Sequence, residues 1–483
     1  MLMMPFDGNI SPVSALDDLS SPATAIVALV SADKRFGKAI SSSPSFLVGM
    51  DKQKPLMQNA FHRMMNPRAF VSTGGAAGTA IEHHTIIGRM LRAGSASPRD
   101  AKVVDMFKDA ATQPRSIVDG NVGRLRSRSA VVQGQVYDVL MALLKDRQSK
   151  ETALLWMKQC VSLNLESAKE QPNFQYASSR AFLVNYAAVM LRLCRPFMGD
   201  VEKIKKIDWT FLISADSSDV LPTDETPVTS VIPEDRFSGS ISRRLPAGNG
   251  FNFMTQSLFL TWRALHLGAV NECVNYGRVM RGINHFRAEL TTGHPQATAY
   301  LVNKFVLDAQ LLSPDFIADV LSFCSTTCQF LMLHLHAIST GETENWRIDV
   351  DLDAPSSLDQ YAFLAGMPQH LLDDICELML FVAKTDGTFF RTINMAPVLS
   401  VLLYFLRRPW AVGSPHLRAK LGQVLFYVFL PSSERKNVEH YTVSVLSVLR
   451  HRLDTKVNST NFYARSGNSL QRWSAQSPAR QRS

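Results

Sequence analysis

FNFMTQSLFLTWRALHLGAVNECVNYGRVMRGINHFRAEL, residues 251–290, decides the fold class. Its apolar residues recur at helical intervals and nowhere alternate as a half-buried strand requires. Gly268 stands in the middle, and the pattern predicts two helices divided there. Upstream, SSRAFLVNYAAVMLRLC predicts a helix that stops near Pro196, since proline neither donates to the turn nor continues it. Val122–Leu144 sets Val122, Leu125, Val132, Val136, Leu140 and Leu143 three, four and seven residues apart, and Ser149 is positioned to cap a following helix, ETALLWMKQCVSLNL. Downstream, Ser313-Pro314-Asp315 combines a capping side chain, proline at the first helical position and an acid at the positive end of the dipole. Further helices are expected near Leu371–Lys384, Pro397–Leu406, His416–Phe429 and Glu434–Leu453.

Helices in pairs with broad apolar faces and short turns predict an all-α chain, an irregular armadillo/HEAT-like helical solenoid without a fixed sequence period. Two polar interruptions occur. Ser214–Asp235 holds Asp216, Asp219, Asp224, Glu225, Glu234 and Asp235 with no base, and residues 214–250 are expected to form a long acidic loop. Thr340–Ser357 is a shorter acidic insertion. The organisation expected is therefore a variable N-terminal helical segment (1–79), a helical array (80–453) and a basic, Ser/Arg-rich disordered tail (454–483).

The chain has 483 residues, of which 46% are hydrophobic and 19% charged, below the ~25% typical of globular domains, so wholesale disorder is excluded. Five of the nine net positive charges lie in the tail, at Lys456, Arg465, Arg472, Arg480 and Arg482. The basic balance is therefore weak support for nucleic-acid binding, and no specific nucleic acid is expected as a partner. Cys160, Cys194, Cys273, Cys324, Cys328 and Cys376 mostly sit in apolar runs, as buried thiols of a reducing compartment do. The N-terminus lacks the basic start and apolar run of a secretory signal. Val320–Ile338 is long enough to span a bilayer but carries Ser, Thr, Gln and His, so a core helix is expected and no membrane partner.

Candidate chemistry is sparse. Ser72–Thr79 (STGGAAGT) lacks the lysine of a phosphate loop and predicts only a flexible start to a helix. Cys324, Cys328, His334 and His336 lie on one predicted rod, where they cannot converge around one ion, and His83-His84 has no ligand at suitable spacing. Asp373-Asp374 is attributed to a helix start, and Arg124, Arg126 and Arg128 to a solvated helix face. No Gly-x-Ser-x-Gly elbow occurs. No catalytic, cofactor-binding or metal-ligating residue is assigned.

Six segments, in order, resemble the core of the U-box ubiquitin chain elongation factors: AIEHHTIIGRMLR (Ala80–Arg92), MLRLCRPF (Met190–Phe197), SLFLTWRALHLGAV (Ser257–Val270), LDAQLLSPDFIADVLSF (Leu307–Phe323), MPQHLLDDICELMLFVAK (Met367–Lys384) and HLRAKLGQVLFYVFLP (His416–Pro431). They are packing segments, and the resemblance rests on their collinearity. It makes residues 80–453 similar to the N-terminal half of that core, itself an armadillo-like solenoid. The resemblance implies a function in ubiquitin chain elongation, protein polyubiquitination and proteasomal degradation, in the cytoplasm or nucleus. The implied partners are ubiquitin, ubiquitinated substrates, a ubiquitin-conjugating enzyme docked by a U-box, an AAA segregase and ubiquitin-like-domain adaptors. In that family acyl transfer runs from the conjugating enzyme's thioester to a ubiquitin lysine, and no residue of the elongation factor becomes a nucleophile.

Two departures bear on this. None of the 23 prolines follows an aspartate, so the Asp-Pro pairs of a U-box are missing from this sequence, and Arg89 follows Gly88 where the family usually has proline. Autonomous ligase activity of this chain is not expected. The alternative expectation is a non-enzymatic helical interaction scaffold. The apolar stripe Val438, Tyr441, Val445, Leu446 and Leu449 is further expected to present an uncovered face.

Overall fold

Helix Arg180–Cys194 is buried on nearly every side, from Phe182 to Leu191 and again at Leu193 and Cys194. A helix apolar all round belongs in the middle of a protein, and helices from well-separated parts of the chain surround this one. The computed structural model describes residues 22–43, 45–48, 78–168, 176–217, 220–221, 226–229, 250–340 and 358–430. Nearly all belong to the first of two units, Met1–Val428; of the second, Phe429–Ser483, only Phe429 and Leu430 are described.

In chain order the helices are α1 (Pro22–Ala32), α2 (Lys34–Ser41), α3 (Gly78–His84), α4 (Ile86–Ala93), α5 (Ala101–Phe107), α6 (Arg115–Lys145), α7 (Arg147–Ser162), α8 (Arg180–Cys194), α9 (Val201–Ile204), α10 (Phe253–Leu265), α11 (Asn271–His285), α12 (Pro295–Leu311), α13 (Pro314–Thr340), α14 (Leu358–Gly366), α15 (Gln369–Thr385), α16 (Ala396–Arg407) and α17 (Pro415–Val424). Among the described residues no β-strand is formed. The class is all-α, as the periodicity predicts.

Around α8 stand α4, α6, α10 and α13. The long helix α6 buries Val118, Val122, Leu125, Val132, Val136, Val139, Leu140 and Leu143, and so fulfils the spacing read from the sequence. Its N-terminal half meets α5 and α12 in a core of Val103, Phe107, Val118, Val122, Leu125, Val302 and Val306. There Phe107 stacks on Phe305 with ring centroids 5.2 Å apart. This pairing of α6 with α12 goes beyond the nearest-neighbour stacking of a regular solenoid. A second core is aromatic: Phe211 stacks on Phe259 at 4.8 Å, Phe251 meets Phe211 edge-on at 5.0 Å, and Phe330 meets Phe259 edge-on at 5.9 Å.

Several local expectations hold. Helix α8 ends at Cys194, where a short 3-10 turn, Arg195–Phe197, carries Pro196; its start, on which the sequence reading is silent, is capped by Ser179, which accepts from Phe182 N. Helix α13 starts at Pro314 and buries Phe316, Ile317, Val320, Leu321, Phe323, Cys324, Cys328, Phe330 and Leu331. By length and composition it could cross a membrane, but 72% of its apolar window is buried in the protein, as for a core helix.

Others are corrected. Helix α7 begins at Arg147, and its cap is Asp146, not Ser149. Ser149 lies buried in the first turn, its hydroxyl 2.9 Å from the Asp146 carboxylate and 3.1 Å from the Ser41 hydroxyl. Part of the acidic loop is stitched into the core: Val220, Leu221 and Val228 are buried. Val228 N donates to Met367 O and Gln369 N to Thr226 O, both at 2.8 Å, forming an isolated antiparallel bridge. The Thr229 hydroxyl donates to Trp410 O at 2.8 Å. An acid count misses these apolar residues, which anchor the segment between two helix connections. The remainder of residues 214–250, the insertion after Thr340, most of residues 1–79, the helix expected at Glu434–Leu453 with its apolar stripe, and the tail lie outside the described residues.

Candidate functional site

Gly268 does not separate two helices. Helices α10 and α11 run on through a single π turn, His266–Val270, in which one residue is accommodated beyond the α-helical repeat. Two features favour it. A Cβ on Gly268 would stand 2.8 Å from both the carbonyl carbon and the oxygen of Leu183, so only glycine lets the turn lie directly on the α8 backbone. The carbonyls that a widened turn leaves short of donors are collected by Asn271, whose amide donates to His266 O and Leu267 O at 3.1 Å and to Ser167 O at 3.0 Å.

This turn aims His266 at α15, where His370 and Asp374 lie four residues apart on one face. The Nδ1–H of His266 is shared by both oxygens of the Asp374 carboxylate, 2.9 Å from each. The rings of His266 and His370 lie 4.3 Å apart between centroids, and Trp262 flanks His370 at 6.1 Å. Arg263 Nη1 is 3.2 Å from His370 Nε2. A guanidinium is always protonated, so it donates and Nε2 accepts. Asp374 and Arg263 are buried, whereas His266 and His370 reach solvent. One ligand atom each from His266, His370 and Asp374 lie within 4.8 Å of one another. No hydroxyl or thiol is hydrogen-bonded to the His266 ring among the described residues, so the His–Asp pair activates no nucleophile. It can hold a proton or a cation.

The neighbouring acids are used differently. Lys420 of α17 reaches Asp373 and Glu377, each at 2.7 Å, and ties α17 to α15. Asp373 and Asp374 therefore sit in the second turn of α15 and are explained by a lysine and a histidine, rather than by a helix start.

A second polar feature is a narrow cleft between α6, α8, α12 and α13, lined by Arg126, Gln133, Arg192, Gln310, Asp315 and Asp319. Arg192 Nη2 donates to Gln133 Oε1 at 3.3 Å, Gln133 Nε2 to Asn185 Oδ1 at 2.8 Å, and Asn185 Nδ2 to the Ser95 hydroxyl at 3.1 Å. This thread carries polarity from the surface to the middle of α8. Burial lowers the Arg192 pKa, whereas the carboxylate of Asp319, paired bidentately with Arg195, raises that of Arg195. Arg126 is half-buried and donates to Asp308 O at 3.3 Å, so only Arg124 of the three arginines read as a solvated face is fully exposed.

The other residues weighed for chemistry do not converge. All six cysteines are unpaired and buried, and burial pushes every thiol up, Cys194 and Cys324 to about 12, which leaves no thiolate at neutral pH. Cys324, Cys328 and His334 occupy the single rod α13, and burial holds His334 down at about 4. The side chain of His336 and the segment 72–77 lie outside the described residues. Gly78 starts α3 against Asn164 and Ser178. The sequence reading passed over the grouping of His266, His370 and Asp374. Its one local signal was the four-residue spacing of His370 and Asp374.

Comparison with known proteins places this architecture. A family model described as the ubiquitin elongating factor core matches residues 87–455. Among curated relatives, the chain is 22% identical over 375 residues to the probable ubiquitin conjugation factor E4 of Arabidopsis thaliana, covering 66% of this chain and 34% of that protein. It is 22% identical over 372 residues to the ubiquitin conjugation factor E4 of Schizosaccharomyces pombe (72% and 36%) and 23% identical over 322 residues to the ubiquitin conjugation factor E4 A of Mus musculus (60% and 30%). The chain thus spans about a third of the length of these relatives.

Proposed function

Because the chain belongs to the ubiquitin elongating factor core family, we propose that it acts in ubiquitin chain elongation, as the helical platform on which ubiquitinated substrates are held. The observation that carries this reading is the family match, which extends across the described helices from α4 to α17. In the reaction proposed, a lysine amine of substrate-bound ubiquitin attacks the thioester of a ubiquitin-conjugating enzyme. The enzyme's cysteine leaves, and an isopeptide bond forms. Nothing in that step calls for a nucleophile from this chain. The chain supplies position, and a U-box supplies the docking site for the loaded conjugating enzyme. An AAA segregase and ubiquitin-like-domain adaptors are proposed as further partners, in the cytoplasm or nucleus.

A chain-extension assay tests the reading. Pre-ubiquitinated substrate, activating enzyme and conjugating enzyme are combined with this chain alone, and with this chain fused to a U-box. Elongation only by the fusion, together with capture of ubiquitin or a ubiquitin-like domain by the chain alone, is the expected result. Failure of the fusion to elongate, with no capture of ubiquitin, ubiquitin-like domain or segregase, would favour a scaffold unrelated to ubiquitin transfer.

A further inference from the structure

We propose that His266, His370 and Asp374 form a binding site for a divalent first-row transition ion, with zinc best suited to two imidazole nitrogens and one carboxylate. The site does not depend on the chain-elongation reading.

Three observations carry it. The first is convergence from two elements: a π turn supplies one histidine, and one face of α15 supplies the other histidine and the acid, with ligand atoms within 4.8 Å of one another. Ligands bound at about 2.0–2.2 Å from one zinc stand roughly 3–3.5 Å apart. Closing the group therefore needs a shift of about 1.5 Å at its widest, within the reach of a ring rotation at the part-exposed His370.

The second is an under-supplied buried charge. Asp374 is 3% exposed, and its carboxylate, with about four acceptor positions, has the His266 N–H as its one side-chain donor among the described residues. Buried carboxylates are normally paired or coordinate a metal. Lys420 of α17 is committed to the neighbouring acids Asp373 and Glu377.

The third is orientation. The His370 Nε2 lone pair already faces a cation, the Arg263 guanidinium at 3.2 Å. The backbone of His266 is held by the Asn271 amide and the Gly268 contact on α8, and its ring is oriented by the hydrogen bond to Asp374. The ion replaces the shared proton on His266 and the arginine contact on His370. Its remaining coordination positions face solvent through the exposed edges of the two rings, and water fills them. Bound there, the ion clasps α15 to the π turn. Arg263 is its competitor, so the site favours ions that bind nitrogen strongly over calcium or magnesium.

The test uses the full chain after dialysis against a chelator. Zinc is titrated by calorimetry, and cobalt(II) by visible absorption. The expected result is one saturable equivalent, with cobalt bands of a nitrogen/oxygen site and no thiolate charge-transfer band. His370→Gln and Asp374→Asn should each weaken zinc by at least ~10-fold. His370→Gln changes a part-exposed position and keeps the fold, which far-UV circular dichroism checks. Calcium and magnesium should not compete. The proposal is overturned if the chelated chain shows no saturable binding, if a thiolate band places the ion on cysteines, or if folded His370→Gln binds zinc as the parent does. Ubiquitin is absent from this assay, so its outcome is separate from that of the elongation test.

Discussion

Replacing Gly268 by alanine adds one carbon at the place where two backbones touch. That carbon would lie 2.8 Å from the carbonyl carbon and oxygen of Leu183 and 3.0 Å from Val184 N. Comfortable non-bonded contacts are about 3.5–4.0 Å. The π turn and α8 must therefore separate by roughly 0.7 Å, or carry the repulsion. Neither partner is the tip of a flexible side chain, and α8 is packed on its other sides, so the upper part of the usual ~1–3 kcal/mol overpacking cost applies. Alanine recovers up to ~1 kcal/mol in a helix by restricting the unfolded chain. A net loss of about 1–2 kcal/mol remains. Gly120 and Gly123 in α6 supply the control, because a Cβ at either meets nothing within 4 Å. There the same substitution should stabilise by up to ~1 kcal/mol. Urea unfolding followed by circular dichroism, with midpoints compared at constant slope, reads the difference. The backbone-contact reasoning is wrong if Gly268→Ala unfolds at the same or a higher midpoint than Gly120→Ala.

Other outcomes follow from the same packing. His334 titrates at about 4 in the fold, chiefly because it is buried, against an ordinary 6.5. Between those values the unfolded chain binds the extra proton, so the stability due to neutral His334 is complete above about pH 6.5 and is lost as pH falls toward 4. His334→Leu should therefore lose less stability than the parent between pH 7 and pH 4.5 in urea titrations, and an equal loss would refute the assignment. Lys420→Met should cost about 1–2 kcal/mol, less than a fully buried pair because Asp373 and Glu377 remain partly hydrated. Hydrogen exchange should quicken first at the junction of α15 and α17, and a response elsewhere would argue against Lys420 as that tie.

Much of the fold was legible because burial writes itself into periodicity. The stretch Phe182–Cys194 reads apolar in every direction and proves to be surrounded, while α6 shows a single stripe and buries that stripe. Local chemistry fixed the C-terminal end of α8, at Pro196, and the start of α13. It failed at Ser149, where two capping residues stand three apart and only tertiary packing chooses Asp146. It failed again at Gly268, since glycine marks a break and a close approach with the same letter. The polar cluster was not readable as a group. His266 and Asp374 are 108 residues apart in sequence, and only the docking of α15 on the π turn joins them.

That one extra residue has a consequence for how the long rod divides its labour. Each α-helical residue advances the azimuth by about 100°, so a single insertion puts everything after Val270 out of phase with everything before His266. Helix α10 spends its apolar face on α7 and α8, while α11 presents its own to α12 and α15. An unbroken α-helix would have carried the first face onward past the end of α8 and left Cys273 and Val279 misdirected. The slip works as a coupling between two misaligned gears: one continuous backbone, two sets of neighbours. Evolutionary loss of a single codon in this turn would thus be felt along the whole of α11 rather than at the site of deletion.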